Sequence, residues 1–195
     1  MDYWCIVESF EIGEEMKKAK TDERHVIVVL DESGSMASRK SDTVHGLDEF
    51  IRTQKKNSPG LFFTLTLFNS SKLEQKYKKV SIKDIDGFKD EEFSPNNFTP
   101  LWDAVGRTIM EVPELDKGVM FVILTDGEEN ASKEFKARQV RNLIKEKEKS
   151  GWKFIYLGVD LDRFTNDAST MGFAAGGGSV ESCTGSTGAL GLSGT

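Results

Sequence analysis

Two stretches of this chain are apolar at every position, Val26–Leu30 and Val119–Leu124. A strand with no polar face is one covered on both sides, the pattern of a central parallel strand rather than a half-exposed antiparallel one. Phe154–Leu157 repeats the pattern in shorter form, and Leu61–Phe68 reads as a further strand from its Phe, Leu and Thr content. Residues 73–80 are punctuated by lysines, which suit an exposed sheet edge, and predict a short edge strand. Between these segments the apolar spacing changes to the helical period. Val44, Leu47, Phe50 and Ile51 form one stripe over 43–56, and Leu101, Ala104, Val105, Ile109 and Val112 form another up to Pro113. Phe135, Val140, Leu143 and Ile144 make a third over Lys133–Lys149, closed by Gly151. Ahead of the second helix, Thr99-Pro100 reads as an N-cap followed by Pro at the first helical position.

Strands alternating with helices predict an α/β fold, with a mostly parallel central sheet, one short antiparallel edge strand and helices on both faces. Residues 25–175 hold this pattern. A charged N-terminal extension, 1–24, precedes it, and a Gly/Ser-rich tail, 176–195, follows. That tail carries seven of the 18 glycines and a single charge, Glu181, which is the composition of a flexible segment.

The chain has 195 residues, 37% hydrophobic and 30% charged, enough for one domain with a sizeable core. Its net charge of −6 argues against a nucleic-acid or anionic-membrane surface. The basic runs, Lys76, Lys78 and Lys79, and Arg138, Arg141, Lys145, Lys147 and Lys149, have no aromatic interleaving and read as solvated surface. No apolar run is long enough to span a bilayer, and the first residues lack the basic and apolar regions of a secretory signal. Cys5 and Cys183 lie at opposite ends, with neither metal nor disulfide spacing. The expectation is a cytoplasmic chain with reduced thiols, no nucleic-acid partner and no membrane insertion.

The chemistry gathers at strand ends. The first buried strand runs into Asp31-Glu32-Ser33-Gly34-Ser35, and the strand at 119–125 ends on Thr125-Asp126-Gly127. Gly34 would allow a tight turn aiming both serine hydroxyls at one point. Two aspartates thus close two apolar strands at one sheet edge, where ligands of open α/β sheets bind. Thr99 enters the same neighbourhood at the start of its helix. Two carboxylates and three hydroxyls are hard oxygen donors, a set suited to Mg²⁺ or Mn²⁺.

At these residues the chain resembles a von Willebrand factor A domain. Asp31-x-Ser33-x-Ser35 is similar to the opening of that family's metal-ion-dependent adhesion site (MIDAS). Phe98-Thr99-Pro100-Leu101-Trp102-Asp103-Ala104 resembles the segment that carries its threonine, and Leu124-Thr125-Asp126-Gly127 the one that carries its second aspartate. The resemblance covers about residues 25–160. It implies a Rossmann-like, doubly wound domain holding one divalent cation. Ser33, Ser35 and Thr99 would bind it directly, Asp31 and Asp126 often through water. An open coordination position would then take a Glu or Asp from a partner protein.

Each residue also has a structural reading. Thr99 can cap its helix, Ser33 and Ser35 can be turn residues, and Asp31 and Asp126 can cap loops. Their joint occurrence favours the metal. Glu32, Glu128 and Glu129 read as an acidic rim that repels a partner carboxylate until the metal binds. Asp160 and Asp162 read as rim or turn residues, and His25 and His45 as structural. The function expected is a non-enzymatic, metal-dependent protein-binding module. The alternatives are a Mg²⁺-dependent phosphohydrolase, which resembles Asp-x-Asp where this chain has Ser33, and a structural scaffold with an incidental metal.

Overall fold

The computed structural model describes residues 24–58, 60–112, 118–126 and 129–158. The tail at 176–195, Asp160, Asp162, both cysteines and all of the N-terminal extension but Arg24 lie outside them. β1 (Arg24–Asp31) stands in the middle of the sheet. It continues through a short 3-10 turn, Gly34–Arg39, into α1 (Lys40–Asn57). After it come β2 (Leu61–Asn69), β3 (Lys72–Ser81), α2 (Leu101–Glu111), β4 (Val119–Thr125), α3 (Ala137–Lys149) and β5 (Lys153–Gly158). The strand order is β3-β2-β1-β4-β5, five strands among the described residues. Every pairing is parallel except β2 with β3. This is the α/β architecture the patterning predicts.

The alternation of β1 explains the layers. Val26, Val28 and Leu30 pack with Leu47, Phe50 and Ile51 of α1 on one face. Ile27 and Val29 pack on the other with Leu101, Val105 and Ile109 of α2 and with Val140 and Ile144 of α3. Successive side chains of a strand point to opposite faces, so only an all-apolar strand can serve two helical layers at once. Each such side chain contributes on the order of 1.5–3 kcal/mol on burial. His25, at the start of β1, is buried and structural: its Nε2 lies 2.8 Å from Thr64 Oγ1. His45 is exposed on α1 and holds no such place.

Three boundaries differ from the sequence expectation, and one turn forms without the freedom that glycine would allow it. The edge strand β3 is not short: its ten residues make it the longest in the sheet. Register shifts opposite Phe63–Thr66 bend it, and Lys79 there adopts φ 46° with its N–H on Thr64 Oγ1 at 2.9 Å. Bulges and lysines together protect an open edge. The third helix starts at Ala137, not Lys133. The N–H groups of Lys133, Glu134 and Phe135 instead donate to the Asp103 carboxylate at 2.8–2.9 Å, which holds them out of a helix. Nor is Thr99 an N-cap. Pro100 occupies that position without a side-chain bond, and α2 begins at Leu101. Finally, Gly34 has no positive φ, and a Cβ there would meet Asn97 only at 3.5 Å, so the turn does not require glycine.

Gly106 is a residue whose smallness the packing does require. A Cβ on it would lie 2.6–2.8 Å from the Phe135 ring, which seats the segment before α3 on α2. Gly106→Ala should therefore destabilise the fold by about 1–3 kcal/mol through overpacking, although the same change stabilises an ordinary helix. Urea denaturation of G106A and of the double variant G106A/F135L checks this. The second should recover most of the loss.

Candidate metal centre

Strand order reverses about β1: the chain proceeds from β1 to β2 on one side and later to β4 on the other. The carboxyl ends of β1 and β4 therefore flank the crevice at which α/β sheets place ligands. Asp31 stands there, fully buried. Its Oδ1 accepts the Ser33 N–H at 2.7 Å and its Oδ2 the Thr125 hydroxyl at 2.5 Å. Ser33 Oγ lies 3.1 Å from Ser35 Oγ, and the Ser35 hydroxyl donates to Asp126 Oδ1 at 2.6 Å. Because the Ser35 proton is committed to Asp126, the Ser33 hydroxyl must be the donor in the serine pair. Asp31, Ser33, Ser35 and Asp126 thus form one chain of bonds whose protons run toward the acids.

Thr99 reaches the same edge by a different route. Its N–H donates to Asn130 Oδ1 at 2.9 Å and its carbonyl accepts the Asn130 N–H at 3.1 Å, a reciprocal pair just past Asp126. The Gly34 N–H donates to the Asn97 carbonyl at 3.0 Å, so the serine turn and the segment before Thr99 are tied together. Thr99 is buried, and its hydroxyl has no hydrogen-bond partner among the described residues. The geometry brings the first four site residues into one bonded set and sets Thr99 beside them through the backbone.

The acidic rim is corrected at two of its three members. Glu32 is fully buried: Oε1 accepts the Ser94 N–H at 2.6 Å and Oε2 pairs with Lys72 Nζ at 2.7 Å. Glu129 accepts the N–H of Trp102 at 2.9 Å and the N–H groups of Ala131 and Ser132 at 2.9 and 2.7 Å. With Ser132 Oγ on the Asp103 N–H at 3.1 Å, it supplies the cap that Thr99 does not. Both acids hold backbone rather than repel ligands. Glu128 lies outside the described residues. Sequence reasoning also missed Asn130, Thr125 and Asp103 as positioning residues. Thr125 was visible as the hydroxyl before Asp126 and Asp103 as part of the segment around Thr99, whereas the roles of Asp103 and Asn130 carry no signal until the loops are folded together.

No protein-family model and no curated protein matches the sequence. Solved structures do. Proximal thread matrix protein 1 (PTMP1) from the mussel byssus shares 18% identity at a TM-score of 0.57, over 77% of this chain and 39% of that one. The likeness is one of fold. This chain spans about two-fifths of that protein's length. The neighbours also include von Willebrand factor A domains at lower similarity. The SpRpn10 VWA domain aligns with 10% identity over 76% of this chain and 82% of its own, at a TM-score of 0.49. A von Willebrand factor type A structure from Catenulispora acidiphila aligns with 13% identity over 77% and 37%, at 0.47. Scores at that level carry no weight for the site, whose chemistry must be judged on its own atoms.

Those atoms fit a cation. Burial pushes the Asp31 carboxyl up to about 6, against the Thr125 hydroxyl and the Ser33 amide that favour its charge, with a small further push from Asp126. Both groups bonded to Asp31 are neutral, so the bonded set eases the burial of this carboxylate but supplies no opposite charge to balance it. The serine oxygens, their protons directed elsewhere, keep lone pairs to offer. Among the described residues no three His, Cys, Asp or Glu side chains converge, so the donor set rests on two carboxylates and hydroxyls. That composition suits a hard cation that retains water.

The raised pKa has a defined consequence for the metal-free protein. The folded chain holds the Asp31 proton over about pH 4–6, where the unfolded chain has released it, so stability should fall as pH rises through that window and level off above it. The full loss is bounded at about 3 kcal/mol by a shift of about two units. In EDTA, Asp31→Asn should be the more stable protein at pH 7 by about 1–3 kcal/mol, the gap closing toward pH 4. Urea titrations at pH 4, 5, 6 and 7 measure it, and a gap that widens toward pH 4 would contradict the assignment.

Proposed function

We propose that this chain is a von Willebrand factor A-like interaction module. It holds one Mg²⁺ or Mn²⁺ through Asp31, Ser33, Ser35, Thr99 and Asp126, and uses it to capture a Glu or Asp of a partner protein. The observation that carries this reading is the bonded chain from Asp31 to Asp126 at the strand-order reversal, with its buried acid lacking a compensating charge. The metal would supply positive charge to a partner carboxylate. The residues of this chain orient it, Thr125 and the Ser33 amide by fixing Asp31, and Asn130 by fixing the backbone of Thr99.

The reading assigns no catalysis to the site. Ser33 donates to Ser35 and Ser35 to Asp126, and His25 stands at the opposite end of β1 with Nε2 bonded to Thr64. A serine nucleophile needs a free base to take its proton, and in this reading the Asp126 carboxylate that accepts from Ser35 is engaged by the metal. Selectivity no longer rests on a repelling rim, since Glu32 and Glu129 are spent on backbone. It rests on the metal itself: with Ser33, Ser35 and Thr99 as its direct ligands and Asp31 and Asp126 acting through water, most of its charge would be left for the incoming acid. Among the described residues no helix is long and apolar enough to cross a membrane.

Titration calorimetry on chelated protein should show one site for Mg²⁺ or Mn²⁺, abolished in the double variant D31A/D126A. Thr99→Val should weaken the metal about tenfold or more while changing stability in EDTA by less than about 1 kcal/mol, because its hydroxyl is no cap. Unchanged metal binding in either variant would overturn the proposal.

A further inference from the structure

Beside the site lies a cleft of about 560 Å³, within the size range that encloses a small ligand or a few side chains. Its walls are the turn between β2 and β3, Phe98 and Pro100 on either side of Thr99, the first half of α2, and the segment after Asp126. In a chain of net charge −6, this wall carries three cations, Lys72, Arg107 and Lys133, and one acid, Asp103. The acid is satisfied, since both its oxygens accept backbone N–H groups. Lys72 is held by Glu32 and Glu74, and Arg107 by Glu134. Lys133 has no acidic partner among the described residues.

The apolar side of the cleft is equally specific. Phe98 is 66% exposed, yet its backbone is pinned: its carbonyl accepts the Ser70 N–H at 2.9 Å, and its N–H donates to Ser70 Oγ at 3.2 Å. One exposed ring is ordinary. This one is held in place one residue before a proposed metal ligand, on a cleft with an uncompensated cation on its wall.

We infer that the cleft receives the continuation of the partner segment that reaches the metal. That segment is an extended acidic peptide whose metal-binding Glu or Asp is neighboured by an apolar side chain, which covers Phe98, and by a second carboxylate, which meets Lys133. The inference rests on the metal-site reading, and the surface is continuous with it through Thr99.

An array of capped hexapeptides tests it. Each carries one central Glu, with neighbours varied over Leu, Phe, Glu, Lys and Ser, probed in Mg²⁺ and in EDTA with the full chain and with its F98S and K133E variants. In Mg²⁺, peptides that combine an apolar neighbour with a second Glu should bind most tightly. F98S should weaken the apolar-flanked peptides about tenfold and leave Ser-flanked ones unchanged. K133E should turn the second preference from Glu to Lys. Both variants should keep the parent's Mg²⁺ titration, which separates the cleft from the metal. If the central Glu and Mg²⁺ are required but flanking preferences are absent or identical in both variants, the inference falls and the metal reading stands. If no peptide binds, the cleft is not a peptide site and the inference falls alone, the Mg²⁺ titration still judging the metal. Binding that ignores EDTA would overturn both.

Discussion

The site depends on the burial of a carboxylate at the end of a strand that has no polar face. β1 is paired on both edges and covered by helices on both faces, so the chain leaves the sheet at Asp31 with water already excluded. A carboxylate in that position costs several kcal/mol unless charge or hydrogen bonds compensate it. Here the groups bonded to it are an amide and a hydroxyl, which lower the cost without cancelling it. The stability of the two packed layers sustains this unfavourable group, and a cation is the species that would relieve it.

Acids at this edge divide by what they touch. Glu32, Asp103 and Glu129 each accept backbone N–H groups of neighbouring loops or of the start of α2. Asp31 and Asp126 instead face the two serines. The first group locks the loops at 94–98 and 129–135 against α2 and the turn after β1. The second is bonded to the serine turn and to Thr125 on the frame so made. Several N–H groups share each of the Asp103 and Glu129 carboxylates, so these segments are tied to one another through common acceptors.

Fold likeness says little about which chemistry a sheet edge performs, because one α/β architecture hosts many unrelated functions. At 18% identity, the shared feature with the mussel byssus protein is the arrangement of strands and helices. The chemistry of this edge is local: two hydroxyls ordered by one acid, and a threonine whose hydroxyl is uncommitted while its backbone is fixed on both sides.

The apolar runs of β1 and β4 and the helical stripes were enough to specify a parallel sheet covered on both faces, because burial on two sides leaves no room for polar residues. The strand-end motifs likewise marked Asp31, Ser33, Ser35 and Asp126 from sequence, since residues two apart in one turn, or at the end of an apolar strand, need no distant partner to be placed. The roles of Glu32, Glu129, Asp103 and Asn130 were not legible. A carboxylate written beside the site looks like a rim until the fold shows which N–H groups it answers, from Ser94 to Trp102 to Phe135. Thr99 likewise reads as a cap until Glu129, 30 positions away, is seen to take the donor it would have served. Local sequence determined which segments become strands and which hydroxyls and acids stand at their ends. Tertiary structure decided which acids remain available, because a buried donor takes whichever acceptor reaches it, and that reach is a property of folded loops rather than of spacing along the chain.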